Sequence, residues 1–433
     1  MNPTESPTLD ILLNRNVRGL SPSPTLAINE RSNALRREGR DIYKLGLGQS
    51  PFPVPPVVVE ALKANAHQKD YLPVKGLPEL QEAVAGYHRR VNGIERTGED
   101  VLIGPGSKEL IFLLQLVFEA ALALPSPSWV TYAPQAEILG KPFHWLPTSA
   151  EDGWRLQPET LDELGRAHPD TSFFILLNYP CNPTGQTYHP GQLLALAEVA
   201  RQYGMVILSD EIYGELDHDD RHFSIASFYP EGAIVTAGLS KWCGAGGWRL
   251  GTSLFPQSLR PLLDATAAVA SETFTAVSAP IQYGAVRAFE GGSEIDQYLH
   301  QSRRILRALG QYCATRLQEA GASVDLPQGA FYLFPDLTPL AESMRTRGIS
   351  SSETLCERLL EDTGVAMLPG TAFGRAPEEF TVRLAYVNFD GERALAAVAE
   401  VPDASPLPQD FLEAHCRRVV EGIERTCGWL QEG

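Results

Sequence analysis

In the segment SFFILLNYPCNPTGQTYHPGQLLALAEVARQYGMVILSDEIYGEL, residues 172–216, two uninterrupted apolar runs flank a helical pattern. The runs are SFFILL (172–177) and MVILS (205–209), and the helical pattern covers 190–203. Apolar runs without polar alternation suit strands covered on both faces. The same texture opens earlier, where VLIGPGSKELIFLLQLVFEA (101–120) reads as strand, Gly/Pro turn and long apolar helix. Further β-type runs stand at 233–237 and 251–255. Strands alternating with helices predict an α/β fold with a mainly parallel sheet and helices on both faces. In such sheets ligands sit at the carboxyl ends of the strands.

Outward from this core the texture changes. Residues 28–38 (INERSNALRRE) read as a charged helix, and DIYKLGLGQSPFPVPP as a short strand running into a loop. Residues 57–68 and 77–91 read as amphipathic helices. Beyond about 320, short strands at 330–335 (AFYLFP) and 380–386 (FTVRLAY) mix with helices in a smaller α/β domain. A Pro-rich stretch, VPDASPLPQDF (401–411), interrupts it before a last helix over 413–430. The expected division is an arm (1–30), a large domain (66–315) and a small domain built from 31–65 and 316–433.

Composition bounds the function. The chain has 433 residues, 43% of them hydrophobic, which is ample for a large buried core. The formal net charge is −17, which argues against a nucleic-acid partner. Six scattered cysteines form no CxxC pair and no zinc-like spacing. Reduced thiols and no metal site are expected. The start MNPTESPTLD lacks the basic opening and apolar run of a signal peptide. The longest apolar stretches are broken by Gln115 and Glu119. A cytoplasmic protein with no membrane partner is expected.

Four motifs fall where strands end. GPGSKE (104–109) is either an anion cradle at a helix start or a plain tight turn. NYPCNPTG (178–185) is either a ligand loop presenting Asn178 and Asn182 or a rigid turn with Asn bonded to backbone. SDEIYGEL (209–216) sets Asp210 and Tyr213 past a strand, with a helix N-cap as the other reading of Asp210. GLSKWCGAGGWRLG (238–251) places Lys241 and Arg249 among glycines. A lysine amid small residues and tryptophan is either a solvated charge or a partly desolvated amine with a lowered pKa.

Taken together, these motifs resemble the class I/II aminotransferases of the fold-type I pyridoxal 5′-phosphate enzymes. The resemblance runs from about 22 to 395 and rests on the lysine segment and the order Asn, Asp-x-x-Tyr, Lys, Arg. It implies that Lys241 forms the imine linkage to pyridoxal 5′-phosphate and carries protons during catalysis. It implies that Asp210 partners the pyridine nitrogen and that Tyr213 and Asn182 bond the 3-oxygen of the cofactor. Trp129 matches the residue stacked on the ring, with a core tryptophan as its other reading. Ser107, Lys108 and Arg249 match the phosphate cup. Tyr71 matches a tyrosine that reaches the phosphate of a neighbouring subunit, which implies a homodimer with shared active sites. Arg383 matches the arginine that grips the substrate α-carboxylate, Gly48 the glycine lying against it, and Asn182 a further contact. One departure stands out: a phosphate-binding Ser or Thr is frequent three residues before the lysine, and here that residue is Gly238.

The resemblance implies transfer of an amino group from an L-amino acid to a 2-oxo acid such as 2-oxoglutarate. Lys108 and the lead-in SPSPTLAINERSNALRREG resemble the bacterial aspartate/prephenate branch, which points to aspartate or glutamate as donor. A lyase, decarboxylase or aminocyclopropane-carboxylate-synthase-like activity on the same fold is the alternative. A non-catalytic sensor is a further one, although no helix-turn-helix is expected in residues 1–30. The Pro-rich stretch after Asn388 is expected to bear on the entrance to the site.

Overall fold

The computed structural model describes residues 12–403 and 405–432. Seven strands form the central sheet: β1 (Val101–Gly104), β2 (Ala121–Ser126), β3 (Phe143–Pro147), β4 (Phe173–Asn178), β5 (Val206–Asp210), β6 (Ala233–Gly238) and β7 (Gly251–Leu254). Their order is β1-β7-β6-β5-β4-β2-β3. All neighbours are parallel except at β7, which runs antiparallel to both β1 and β6. The mainly parallel sheet expected from the apolar runs is thus present, with one reversed strand.

The continuous apolar runs are buried on both faces, as their lack of alternation requires. Along β4, Phe173, Ile175 and Leu177 join a core that includes Leu161, Leu193 and Leu196. Phe174 and Leu176 point the other way, into a core with Leu110, Ile111 and Leu263. The helices supplying these residues are Pro158–Ala167 and Pro190–Gln202 on one face, Ser107–Val117 and Arg260–Glu272 on the other.

Several boundaries differ from the sequence reading. Two strands, β2 and β3, were not anticipated. The run LLQLVFEAALALPS has no Gly or Pro between helix and strand, only the single polar residue Glu119, so periodicity alone does not separate them. The long apolar helix expected to close the segment 101–120 ends at Val117. The charged helix expected at 28–38 is Pro24–Arg37, because Pro24 suits a first helical turn. The helix expected to 68 stops at Ala64. The strands expected at 330–335 and 380–386 shrink to Tyr332–Leu333 and Val382–Ala385. The last helix is two, Gln409–His415 and Arg417–Gln431, divided at Cys416 by its non-helical backbone. Residues 1–11 of the expected arm lie outside the described residues.

The smaller domain holds a three-stranded antiparallel sheet, with Val382–Ala385 between Leu368–Pro369 and Tyr332–Leu333. Tyr43–Lys44 pairs in parallel with Val365–Ala366. The 27-residue helix Ser293–Glu319 leads into this domain. The Pro-rich stretch does not border the site. Arg304, on that long helix, donates to the carbonyls of Val401, Pro402 and Ser405. None of the residues lining the site cavity comes from 401–411. All six cysteines are free. Among the described residues no helix is long and apolar enough to cross a membrane.

Candidate active site

A cavity of about 510 Å³ opens where β1, β4, β5 and β6 end. At its first edge β1 ends in Gly104, and the helix Ser107–Val117 starts three residues later. No side chain caps that helix, so its first N–H groups are available to an anion. Gly106 holds φ +94°, and a Cβ there would lie 2.3 Å from Arg249 Nη2. Glycine thus lets the guanidinium lie against the turn, where it donates to the carbonyls of Pro105 (3.3 Å) and Gly246 (2.9 Å). Turn and anion cradle are one structure here. At Gly238 a Cβ would lie 2.6 Å from the Leu250 carbonyl oxygen. The strand pairing of Gly238 with Gly251 excludes the hydroxyl residue frequent at that position. Ser240 lines the cavity instead.

Asp210 ends β5 and is buried. No α-helix follows it, so it is not a helix cap. Its carboxylate accepts from the Tyr132 hydroxyl at 2.7 Å and from the Ile212 N–H at 3.3 Å. Burial raises its pKa to about 6, with these two donors and the Lys241 charge opposing. Lys241 lies three residues past β6, and its Nζ donates to the Gly48 carbonyl at 2.8 Å. Burial, reinforced by the Arg383 charge, lowers its pKa to about 8. The desolvated-amine reading of this lysine holds.

Arg383 enters from the small domain, at the middle of the strand Val382–Ala385. It is only 1% exposed, which discards a surface role. Its guanidinium donates to Asn182 Oδ1 at 3.1 Å and to the Gly46 carbonyl, and its Nε has no partner. A buried N–H left open costs free energy unless a ligand takes it. Asn178 serves the backbone: it donates to the Asp210 carbonyl and accepts from the Asn182 N–H, both at 2.8 Å. The rigid-turn reading is right for Asn178, whereas Asn182 faces Arg383.

Lys241, Asp210, Tyr213, Asn182, Ser107, Lys108, Trp129, Arg249 and Gly48 all line the cavity, with Arg383 bonded to its wall. Trp129 both lines it and packs on the core, with Lys108 Nζ 5.0 Å from its ring centroid. Tyr71 is 94% exposed and does not reach the cavity of its own chain. Two tyrosines escaped the sequence reading. Tyr132 bonds Asp210, and the Tyr332 hydroxyl lies 2.7 Å from that of Tyr213. Both sit among apolar residues, where a tyrosine reads as core.

This fold is that of the aspartate aminotransferases, a seven-stranded mixed sheet with a smaller domain. The aspartate aminotransferase of Thermus thermophilus, solved with maleate, matches with a TM-score of 0.82 over 96% of this chain and 99% of that one, at 28% identity. The aromatic aminotransferase of Pyrococcus horikoshii OT3 matches at 0.77 over 92% and 98%, at 27% identity. In sequence, a probable aspartate/prephenate aminotransferase of Thermus aquaticus is 33% identical over 393 residues, covering 90% of this chain and 97% of that protein. The family model for aminotransferase class I and II matches residues 40–397. The chain belongs to the class I and II aminotransferases. It is an aminotransferase, and the lyase and sensor readings fall away.

Proposed function

We propose that this aminotransferase uses pyridoxal 5′-phosphate held in the cavity described above, and that its amino donor carries a second carboxylate. The observation that carries the reading is convergence. A lysine of lowered pKa, a buried carboxylate and an arginine with an open N–H meet in one cavity. The residues present fit the cofactor: the uncapped helix start and Arg249 suit its phosphate, and Asp210 suits its ring nitrogen. Bound there, pyridoxal phosphate supplies an aldehyde for linkage to an amine and a ring that takes up electrons as the α-proton leaves.

This chain's residues supply the rest. Lys241, neutral above about pH 8, would hold the cofactor through its amine and carry the proton. Asp210 keeps its charge through the Tyr132 and Ile212 donors, and that charge would hold a proton on the ring nitrogen of the cofactor. Tyr213 and Asn182 offer hydrogen bonds to the 3-oxygen, and Trp129 offers a face for stacking. Arg383 binds the α-carboxylate beside Gly48.

The charge at Lys108 supports an acidic donor. Burial and the like charge of Arg249 lower the pKa of Lys108, with no carboxylate offsetting them. A second carboxylate on the donor would supply that missing partner. The relatives named for aspartate and prephenate are consistent with this choice. The test mixes the cofactor-loaded protein with single amino acids and follows the absorbance of the cofactor. Fast conversion by aspartate or glutamate, lost selectively in Lys108→Ala, is expected. Equal loss with neutral donors would assign Lys108 to the phosphate alone. Homodimerisation, with Tyr71 completing the neighbour's phosphate site, belongs to the same proposal.

A further inference from the structure

We propose that Tyr332 is a positioning residue that joins the Tyr213 side of the site to the Arg383 side. The proposal rests on the roles given to those two residues above. Tyr332 is 1% exposed and lies in the strand Tyr332–Leu333, paired with the strand that carries Arg383. Its hydroxyl oxygen is 2.7 Å from that of Tyr213, and the two rings meet edge to face at 5.6 Å. On its other side the Arg383 guanidinium carbon stands 4.8 Å from the Tyr332 ring centroid, and Phe373 lies 5.1 Å from the same guanidinium.

The chain makes room for this phenol. A Cβ on Gly48 would fall 2.0 Å from the Tyr332 oxygen and 2.6 Å from two of its ring carbons. Glycine there admits Tyr332, and the same Gly48 carbonyl receives the Lys241 ammonium. One residue therefore touches the hydroxyl, guanidinium and glycine that surround the reacting lysine.

The hydroxyl contact has a direction once a ligand binds. Two phenols share one hydrogen bond, so only one donates. When Tyr213 turns its proton toward a ligand oxygen, Tyr332 is the donor to Tyr213. A hydroxyl that accepts a bond becomes a stronger donor. Tyr332 thereby strengthens the bond from Tyr213 to the ligand without touching it. Its ring meanwhile holds the Arg383 fork through a cation–π contact.

Two variants separate these contacts. Tyr332→Phe keeps the ring and removes the hydroxyl. The pH midpoint of the bound cofactor, read from its absorbance, should move in the same direction as in Tyr213→Phe and by less. The kcat should fall several-fold, with the KM of the amino donor held within about twofold. Tyr332→Leu removes the ring as well, and its KM should rise about fivefold or more. A Tyr332→Phe protein with the wild-type midpoint and kcat would overturn the proposal. So would one whose KM rises as far as that of Tyr332→Leu. A wild-type protein that binds no pyridoxal phosphate would overturn the cofactor reading as well, so the two failures are distinct.

Discussion

Lys241 stands among charges that pull on its proton in opposite directions. Burial and Arg383 favour the neutral amine, Asp210 favours the ammonium, and the first pair wins at about 8. The reactivity of this one lysine in cofactor-free protein should therefore rise with pH through about 8. Reductive trapping with a small aldehyde, read by mass spectrometry, checks this; a site that stays inert until the usual lysine range contradicts it. Asp210 tells the opposite story. Its pKa is already raised to about 6, and the Tyr132 hydroxyl restrains the rise. Tyr132→Phe should raise it further and move the acid limb of the kcat profile to higher pH. An unmoved limb would show that Tyr132 does not act through Asp210. Arg383 was reached only through the family resemblance, whereas Lys241 and Asp210 were legible because charged residues among glycines and at the ends of apolar strands are conspicuous. Tyr132 and Tyr332 were not, because a phenol in an apolar context looks like packing until its partner is known.

At the scale of elements, the loop after β5 is anchored by a buried pair. Glu211 accepts from Ser209, Ser224 and the His222 imidazole, the last at 2.9 Å. The His222 pKa lies above its ordinary 6.5 because Glu211 outweighs its burial. The Glu211 carboxylate lies below its ordinary 4.5 because His222 and Ser224 outweigh its burial. The histidine contribution to stability is whole below 6.5 and fades as pH rises through the folded value. The glutamate contribution is whole above 4.5 and fades as pH falls through its folded value. Both act together between those limits. The urea midpoint of His222→Asn should therefore trail the wild type most at about pH 5.5 and less at about pH 9. A constant gap would mean that the imidazole serves packing alone. Elements with turn residues at both ends, such as β4 and β5, were readable along the chain. The strand β2 was not, because no Gly or Pro separates its apolar run from that of the preceding helix.

At the scale of the molecule, the exposure of Tyr71 meets the proposed dimer. A tyrosine 94% exposed and outside the lining of its own cavity is placed to meet a neighbouring subunit. If it completes the neighbour's site, Tyr71→Ala and Lys241→Ala proteins are each impaired, yet mixed subunits regain activity. The heterodimer holds one site with both residues intact. Activity measured after unfolding and refolding the two variants together checks this, and no recovery would remove Tyr71 from the site. The acidic surface implied by a net charge of −17 coexists with a cavity lined by Lys108, Lys241 and Arg249. Net charge therefore said nothing about the ligand, since a site answers to its local field.

The sequence alone determined the layer of helices and strands and singled out the lysine and the aspartate as site candidates, because each depends on local chemistry; the arginine came from the family resemblance. Apolar runs set burial on both faces, and glycines and prolines set the turns that end them. Only the tertiary structure decided which atoms meet. Asn178 and Asn182 stand four residues apart in one loop, yet one serves the backbone and the other faces Arg383, 201 residues further along. Gly48 admits a tyrosine from the other end of the chain. Such contacts join segments that are distant in sequence, and packing across the two domains, rather than any local pattern, brings them within bonding distance.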